Sequence, residues 1–128
     1  MYNIDPFLIA AIAFQESRFD QKLVMRTGAT GIMQMMPATA RDPNVDLPNI
    51  ENLETNVHAF AKYFRFMRQR YVNQECVSDF DRLMLLLASY NAGPERLKKL
   101  RAKAAEPNTW HEFRATAEVD RIVTALVA

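Results

Sequence analysis

The stretch Asp5-Pro6-Phe7-Leu8-Ile9-Ala10-Ala11-Ile12-Ala13-Phe14-Gln15-Glu16-Ser17 decides the fold. Asp5 is an N-cap residue and Pro6 suits the first helical position, so a helix is predicted from Pro6 to Ser17. Residues 7–14 are apolar without interruption. A helix that is apolar on every side is expected to be buried on every side, and this one is expected to form the core.

Further along, Ser78 is placed to cap a helix over residues 79–91, whose middle, Leu83-Met84-Leu85-Leu86-Leu87-Ala88, is again apolar all round. Gly93 stands where a left-handed C-terminal residue belongs, and Pro94 prevents continuation. Between these two helices Leu53, Val57, Phe60, Ala61, Phe64, Met67 and Tyr71 recur at spacings of three and four, which predicts an amphipathic helix from Leu53 to Tyr71. A loop over residues 18–30 leads to a predicted short helical piece over residues 31–36, and Pro37 opens another turn to Ala40. A basic amphipathic helix is expected from Pro94 to Lys103, then a turn at Glu106-Pro107-Asn108 and a last helix over residues 113–127. With only 3 glycines and no β-branched runs, the chain is read as all-α, a bundle of helices packed around a buried central one.

The 128 residues, 49% hydrophobic and 24% charged, suit one compact domain spanning residues 1–128. Sixteen basic against 15 acidic residues give a net charge of +1, which argues against a nucleic-acid partner. Cys76 is a single cysteine, so no internal disulfide exists. Cys76, His58 and His111 cannot supply a recognisable zinc set, and no metal or other cofactor is expected. The eight-residue apolar run is far below the roughly 20 residues of a membrane span. No signal-like segment follows Met1, so the chain is expected to be a piece excised from a longer protein.

Each all-apolar helix ends in a small polar cluster, Gln15-Glu16-Ser17 on the first and Ser89-Tyr90-Asn91 on the second. Such clusters either satisfy structural hydrogen bonds or deliver polar groups to a cleft. Glu16 meets the negative end of the helix dipole in an apolar setting, and both effects favour its protonated form. A carboxylic acid held neutral in this way can serve as a general acid. The plainer alternative is a solvated helix end, or a partner for Arg18 or Arg26. The segment Gly28-Ala29-Thr30-Gly31-Ile32-Met33-Gln34-Met35-Met36-Pro37-Ala38-Thr39-Ala40 sets one glutamine among three methionines behind two glycines. Its methionines could be adaptable core, and Gln34 could satisfy backbone.

Three stretches in order resemble the soluble-type lytic transglycosylases, the SLT domain with its goose-type lysozyme-like fold. They are Ala13-Phe14-Gln15-Glu16-Ser17-Arg18-Phe19-Asp20, the Gly28 to Ala40 segment just quoted, and Ala88-Ser89-Tyr90-Asn91-Ala92-Gly93. The resemblance implies non-hydrolytic cleavage of the bond between N-acetylmuramic acid and N-acetylglucosamine in peptidoglycan, leaving 1,6-anhydromuramic ends. It implies Glu16 as the single acid and then base, Ser17 as a support for the Glu16 region, Gln34 and Met36 as cleft lining, and Tyr90 and Asn91 as substrate contacts. A location in the bacterial periplasm or envelope, glycan strands as partner and further domains in a parent protein are implied with it. Glycosidases that use water ordinarily need two carboxylates, and no second acid is embedded in a buried motif here; Asp20 lies in the following loop.

Two positions depart from the family pattern. Met25-Arg26 stands where Ser-Pro is common, and Ile122 stands where a tyrosine is expected in the last helix. A catalytically weakened glycan-binding or regulatory domain, and a muramidase using water, are therefore the competing functions. The basic run Arg96, Lys98, Lys99, Arg101 and Lys103 is expected to be a solvated face.

Overall fold

The computed structural model describes residues 2–71 and 78–103. Among these are five α-helices, α1 (Pro6–Ser17), α2 (Pro37–Arg41), α3 (Leu53–Tyr71), α4 (Asp79–Ala92) and α5 (Pro94–Lys103). The only extended pairings among them are two isolated bridges, so the fold is all-α. The predicted helix over residues 113–127, the turn at Glu106-Pro107-Asn108, and Cys76, His111 and Ile122 lie outside the described residues. The chain divides into two compact units, Met1–Phe66 and Met67–Ala128.

In the first unit α1 begins as its sequence dictates. Asp5 accepts the Phe7 backbone N–H at 2.9 Å, and Pro6 occupies the first turn, where no N–H is needed. Its burial differs from expectation. Ile12, Ala13 and Ser17 are buried, whereas Phe7 is 85% and Phe14 51% exposed. Phe7 and Phe14, seven residues apart, share one face, and the inward stripe is the opposite one. Uniform apolar character does not choose a face; polar hydrogen bonds at the helix end do so here.

Those bonds come from the segment that follows. The predicted helical piece over residues 31–36 is instead a tight non-helical turn. Gly31 (φ 81°) and Gln34 (φ 51°) both take left-handed angles, which a right-handed helix cannot accommodate. Thr30 and Met35 exchange both backbone hydrogen bonds at 3.0 Å, closing the turn. Upstream, Met25 N–H donates to Ala29 and Gly28 N–H to Met25, both at 2.9 Å, and Gly28 has φ 94°. This is a three-residue hairpin loop with its positive-φ glycine. The bridge between Val24 and Thr30 joins the two turns.

Two carboxamides hold this segment. The Asn56 Oδ1 on α3 accepts Met33 N–H at 2.9 Å, while its Nδ2 donates to Thr30 O at 2.9 Å and Ile50 O at 2.8 Å. Gln21 Oε1 accepts Ile32 N–H at 2.8 Å, and its Nε2 donates to the carbonyls of Ile50 and Glu51. A Cβ on Gly31 would overlap the Asn56 amide and come within 2.9 Å of Gln21 Oε1. Glycine there is therefore a packing requirement as well as a conformational one.

The helix α3 has its predicted bounds, with Asn52 accepting Thr55 N–H at 3.0 Å at its start. Asn56, Ala59, Phe60, Ala61, Phe64 and Met67 are buried along it, while Leu53, expected on the apolar stripe, is 51% exposed. Met33, Met35, Ala40, Val45 and Ile50 add to the buried apolar set of the first unit. In the second unit Ser78 Oγ accepts Asp81 N–H at 3.1 Å, the predicted cap of α4. Leu85, Leu86 and Ser89 are buried and Phe80 is 65% exposed. Gly93 closes α4 with its N–H on Ser89 O, at φ 89° and ψ 133°, a positive φ outside the left-handed helical region expected. Tyr71 OH donates to Glu95 on α5 at 2.7 Å, a bond that raises the Tyr71 pKa. Arg96, Lys98 and Lys99 are exposed, as a solvated face requires.

Asn56→Ala strands the buried Met33 N–H and removes one of the two donors from each of the Thr30 and Ile50 carbonyls, and a buried unsatisfied group costs about 1–3 kcal/mol. Urea unfolding of this variant and of Gly31→Ala is expected to show losses of at least about 2 kcal/mol each. Losses under about 0.5 kcal/mol, the size of an ordinary surface substitution, would contradict the holding role of the amide.

Candidate active site

The last turn of α1 carries Glu16 three residues beyond Ala13 and four beyond Ile12, the two apolar residues that are buried. That spacing puts the carboxyl on the inward stripe. Glu16 is half-buried, and desolvation raises its pKa above the ordinary carboxyl value. The negative helix C-terminus acts in the same direction. Among the described residues it has no ion pair and no hydrogen bond to offset this. Arg18, one of the partners weighed from sequence, lies instead over the Phe14 ring at 5.8 Å, and Arg26 is exposed. Arg82 and Asp79 form an ion pair at 3.8 Å in the second unit.

The helix stops abruptly behind Glu16. Arg18 (φ 53°) and Phe19 (φ 65°) are consecutive non-glycine residues in the left-handed region. Arg18 N–H closes the helix on Phe14 O at 2.9 Å, and the Phe14 and Phe19 rings meet at 5.7 Å. Such backbone costs on the order of 1–3 kcal/mol per residue and concentrates at functional sites. Asp20 accepts Lys22 N–H at 2.9 Å and is exposed, which gives it a local turn role.

Ser17, next to Glu16, is buried, and its hydroxyl is shared between Ala13 O at 3.1 Å and Ile32 O at 2.7 Å. It thereby ties the end of α1 to the turn held by Asn56. Gln34 is half-buried in that turn, with Nε2 donating to Leu23 O at 3.1 Å and Gly31 O at 2.9 Å. The backbone-satisfying alternative therefore accounts for its amide nitrogen, and its Oε1 accepts no hydrogen bond among the described residues. Of the three methionines, Met33 and Met35 are core, whereas Met36, the residue before α2, is 40% exposed.

Glu16, Ser17, Gln34 and Met36 thus belong to one unit, connected through the Ser17 to Ile32 bond. Tyr90 and Asn91 lie in the last turn of α4, in the second unit, with Tyr90 half-buried beside the buried Ser89, whose hydroxyl donates to Leu85 O at 2.8 Å. Gln21 and Asn56, which position the turn, were not singled out from sequence. Asn56 carried a signal nonetheless, a polar residue three after Leu53 and four before Phe60, inside the apolar stripe of α3. A cavity of about 530 Å³, lined by Tyr2, Asn3, Ile4, Asp5, Ile9 and Ala61, opens at the other end of α1. Glu16 is eleven residues from Asp5, so along the helix axis the cavity is about 16 Å from the carboxyl.

Residues 1–113 match the family described as Transglycosylase SLT domain. The chain is 33% identical over 117 residues to a membrane-bound lytic murein transglycosylase F of Cellvibrio japonicus, covering 88% of this chain and 23% of that protein. It is 34% identical over 103 residues to its namesake from Hahella chejuensis, covering 80% of this chain and 19% of the relative. A similar match, 33% over 117 residues, covers 88% of this chain and 23% of a membrane-bound lytic murein transglycosylase F 1 of Alkalilimnicola ehrlichii. The chain spans under a quarter of the length of these relatives, and no described helix is long and apolar enough to cross a membrane. An all-α fold, the matched length and the ordered Glu16, Gln34 and Tyr90 motifs agree, and the chain belongs to the transglycosylase SLT domain family.

Proposed function

We propose that the chain is the catalytic domain of a peptidoglycan lytic transglycosylase of the bacterial envelope, with Glu16 as its single acid and base. The observation that carries this is the state of Glu16, a half-buried carboxyl at a helix C-terminus, raised above its ordinary pKa and without a cation partner among the described residues. A raised pKa favours the protonated form, the one that can donate to a leaving oxygen.

The glycosidic oxygen between N-acetylmuramic acid and N-acetylglucosamine takes the Glu16 proton as its bond to C1 breaks. The resulting carboxylate then accepts the proton of the muramyl C6 hydroxyl, whose oxygen bonds C1 and closes the 1,6-anhydro ring. Glu16 ends protonated and no water is consumed. Because the nucleophile is part of the substrate, one carboxyl suffices where hydrolysis uses two. Ser17 keeps the end of α1 joined to the turn that bears Gln34 and Met36. In this scheme Gln34 Oε1 and the exposed Met36 line the glycan cleft, and Tyr90 and Asn91 supply an aromatic ring and a paired donor and acceptor for the sugar.

Glu16→Gln keeps the shape and removes the transferable proton. Incubated with purified sacculi, the wild type is expected to release anhydromuropeptides, and the variant to lose at least about a hundredfold in rate, the scale of general acid catalysis, while still sedimenting with the sacculi. Wild-type turnover by the variant would remove Glu16 from the chemistry. Binding without product from the wild type would favour the glycan-binding domain.

The Glu16 pKa is raised on folding, so the neutral form is favoured in the native state. Stability from this source is fully present below the unfolded pKa and is lost as pH rises through the folded value. Glu16→Gln, neutral throughout, is therefore expected to melt above the wild type at pH 8 and to approach it near pH 4. A difference in Tm independent of pH would show that Glu16 is not desolvated.

A further inference from the structure

The hairpin preceding the Asn56-held turn carries an apolar row of which the proposed catalytic scheme uses one end, Met36, and leaves Met25 and Ala29 without a role. The bridges pair Val24 with Thr30 and Thr30 with Met35 in antiparallel sense. That register places Met25 opposite Ala29, and Ala29 opposite Met36. Side chains alternate across extended backbone, so these three share one side of the small ladder. Met25 is 52% and Met36 40% exposed, with the half-buried Ala29 between them. The outer two positions are separated by two strand spacings, about 10 Å, long enough to underlie two linked sugar rings.

The backbone that carries the row is held by hydrogen bonds. Met25 uses both of its backbone groups in the hairpin, Thr30 Oγ1 donates to Gly28 O at 2.8 Å, and Gln34 Nε2 is fixed on Leu23 O. A backbone already ordered adds little to the entropy lost when the row is covered. Hydroxyl-rich sugars offer few apolar groups. Acetamido methyls are the most compact of them, and a polarizable thioether suits such a group.

We propose that Met25, Ala29 and Met36 form an apolar shelf selecting N-acetylated over de-N-acetylated glycan, with Met25 as its specificity-determining residue. This rests on the glycan assignment above, because Met36 is the point at which the shelf joins the proposed cleft. Occupation of the shelf buries about one methyl against Met25, a group worth about 0.8 kcal/mol, or about a fourfold change in affinity.

The test is calorimetric binding of N-acetylated and de-N-acetylated chitohexaose at pH 8 to Glu16→Gln, alone and combined with Met25→Ser or Met25→Leu. The shelf requires Met25→Ser to weaken the acetylated ligand about fourfold, to leave the de-N-acetylated one unchanged, and to be rescued by Met25→Leu. Equal losses on both ligands, or none on either, would overturn the shelf while leaving the glycan assignment standing. Binding of neither ligand by the Glu16→Gln parent would overturn both.

Discussion

Two carboxamides, Asn56 on α3 and Gln21 in the loop after α1, stand in for secondary structure over residues 30–33. The turn there has left-handed residues at Gly31 and Gln34 and cannot use a helical ladder. Its half-buried Ile32 N–H and buried Met33 N–H need acceptors, and a backbone donor left unpaired in a core costs about as much as a lost hydrogen bond. Asn56 and Gln21 supply those acceptors and also bind Ile50 O, so three separate segments are fixed by two side chains. The Ile32 carbonyl, held in place by this arrangement, receives Ser17 Oγ beside Glu16. The orientation of α1, and with it the setting of the carboxyl, follows from that chain of polar contacts.

Helices with cap and breaker residues were legible in the sequence. The bounds predicted for α1, α3 and α5 match the structure because Asp5, Pro6 and Pro94, with the 3.6-residue periodicity, are local signals. The turn over residues 31–36 was not legible as a turn. A Gly-x-x-Gln pattern among methionines has helical composition, and what holds the turn is tertiary, the Gln21 and Asn56 amides accepting the Ile32 and Met33 N–H groups. Burial on every side of α1 also failed as an expectation for a physical reason. An all-apolar helix has no preferred inward face of its own, and the Ser17 bond selects the stripe of Ile12, Ala13 and Glu16, leaving Phe7 and Phe14 outward. The proposed site was legible to the extent that its residues form contiguous motifs. Asn56, a lone polar residue in an apolar stripe, was its visible but unread support.

The proposed chemistry asks for one group whose proton affinity lies between those of a free carboxylate and a stronger base. Half-burial on the stripe of Ile12 and Ala13, the helix terminus and the absence of an ion pair at Glu16 among the described residues all act in that direction. A substrate hydroxyl already held beside the reacting carbon has a large advantage over water, since its translational freedom is lost before the reaction begins. A single tuned carboxyl, placed by a strained and heavily bonded helix end, is then a sufficient catalytic inventory.

The central claim is that Glu16 serves an intramolecular attack and not hydrolysis. It is tested most directly by digesting purified sacculi in water enriched in ¹⁸O and weighing the released muropeptides. Intramolecular attack gives 1,6-anhydro products without ¹⁸O at the cleaved muramyl end. Reducing ends carrying one ¹⁸O would contradict it and make the protein a muramidase.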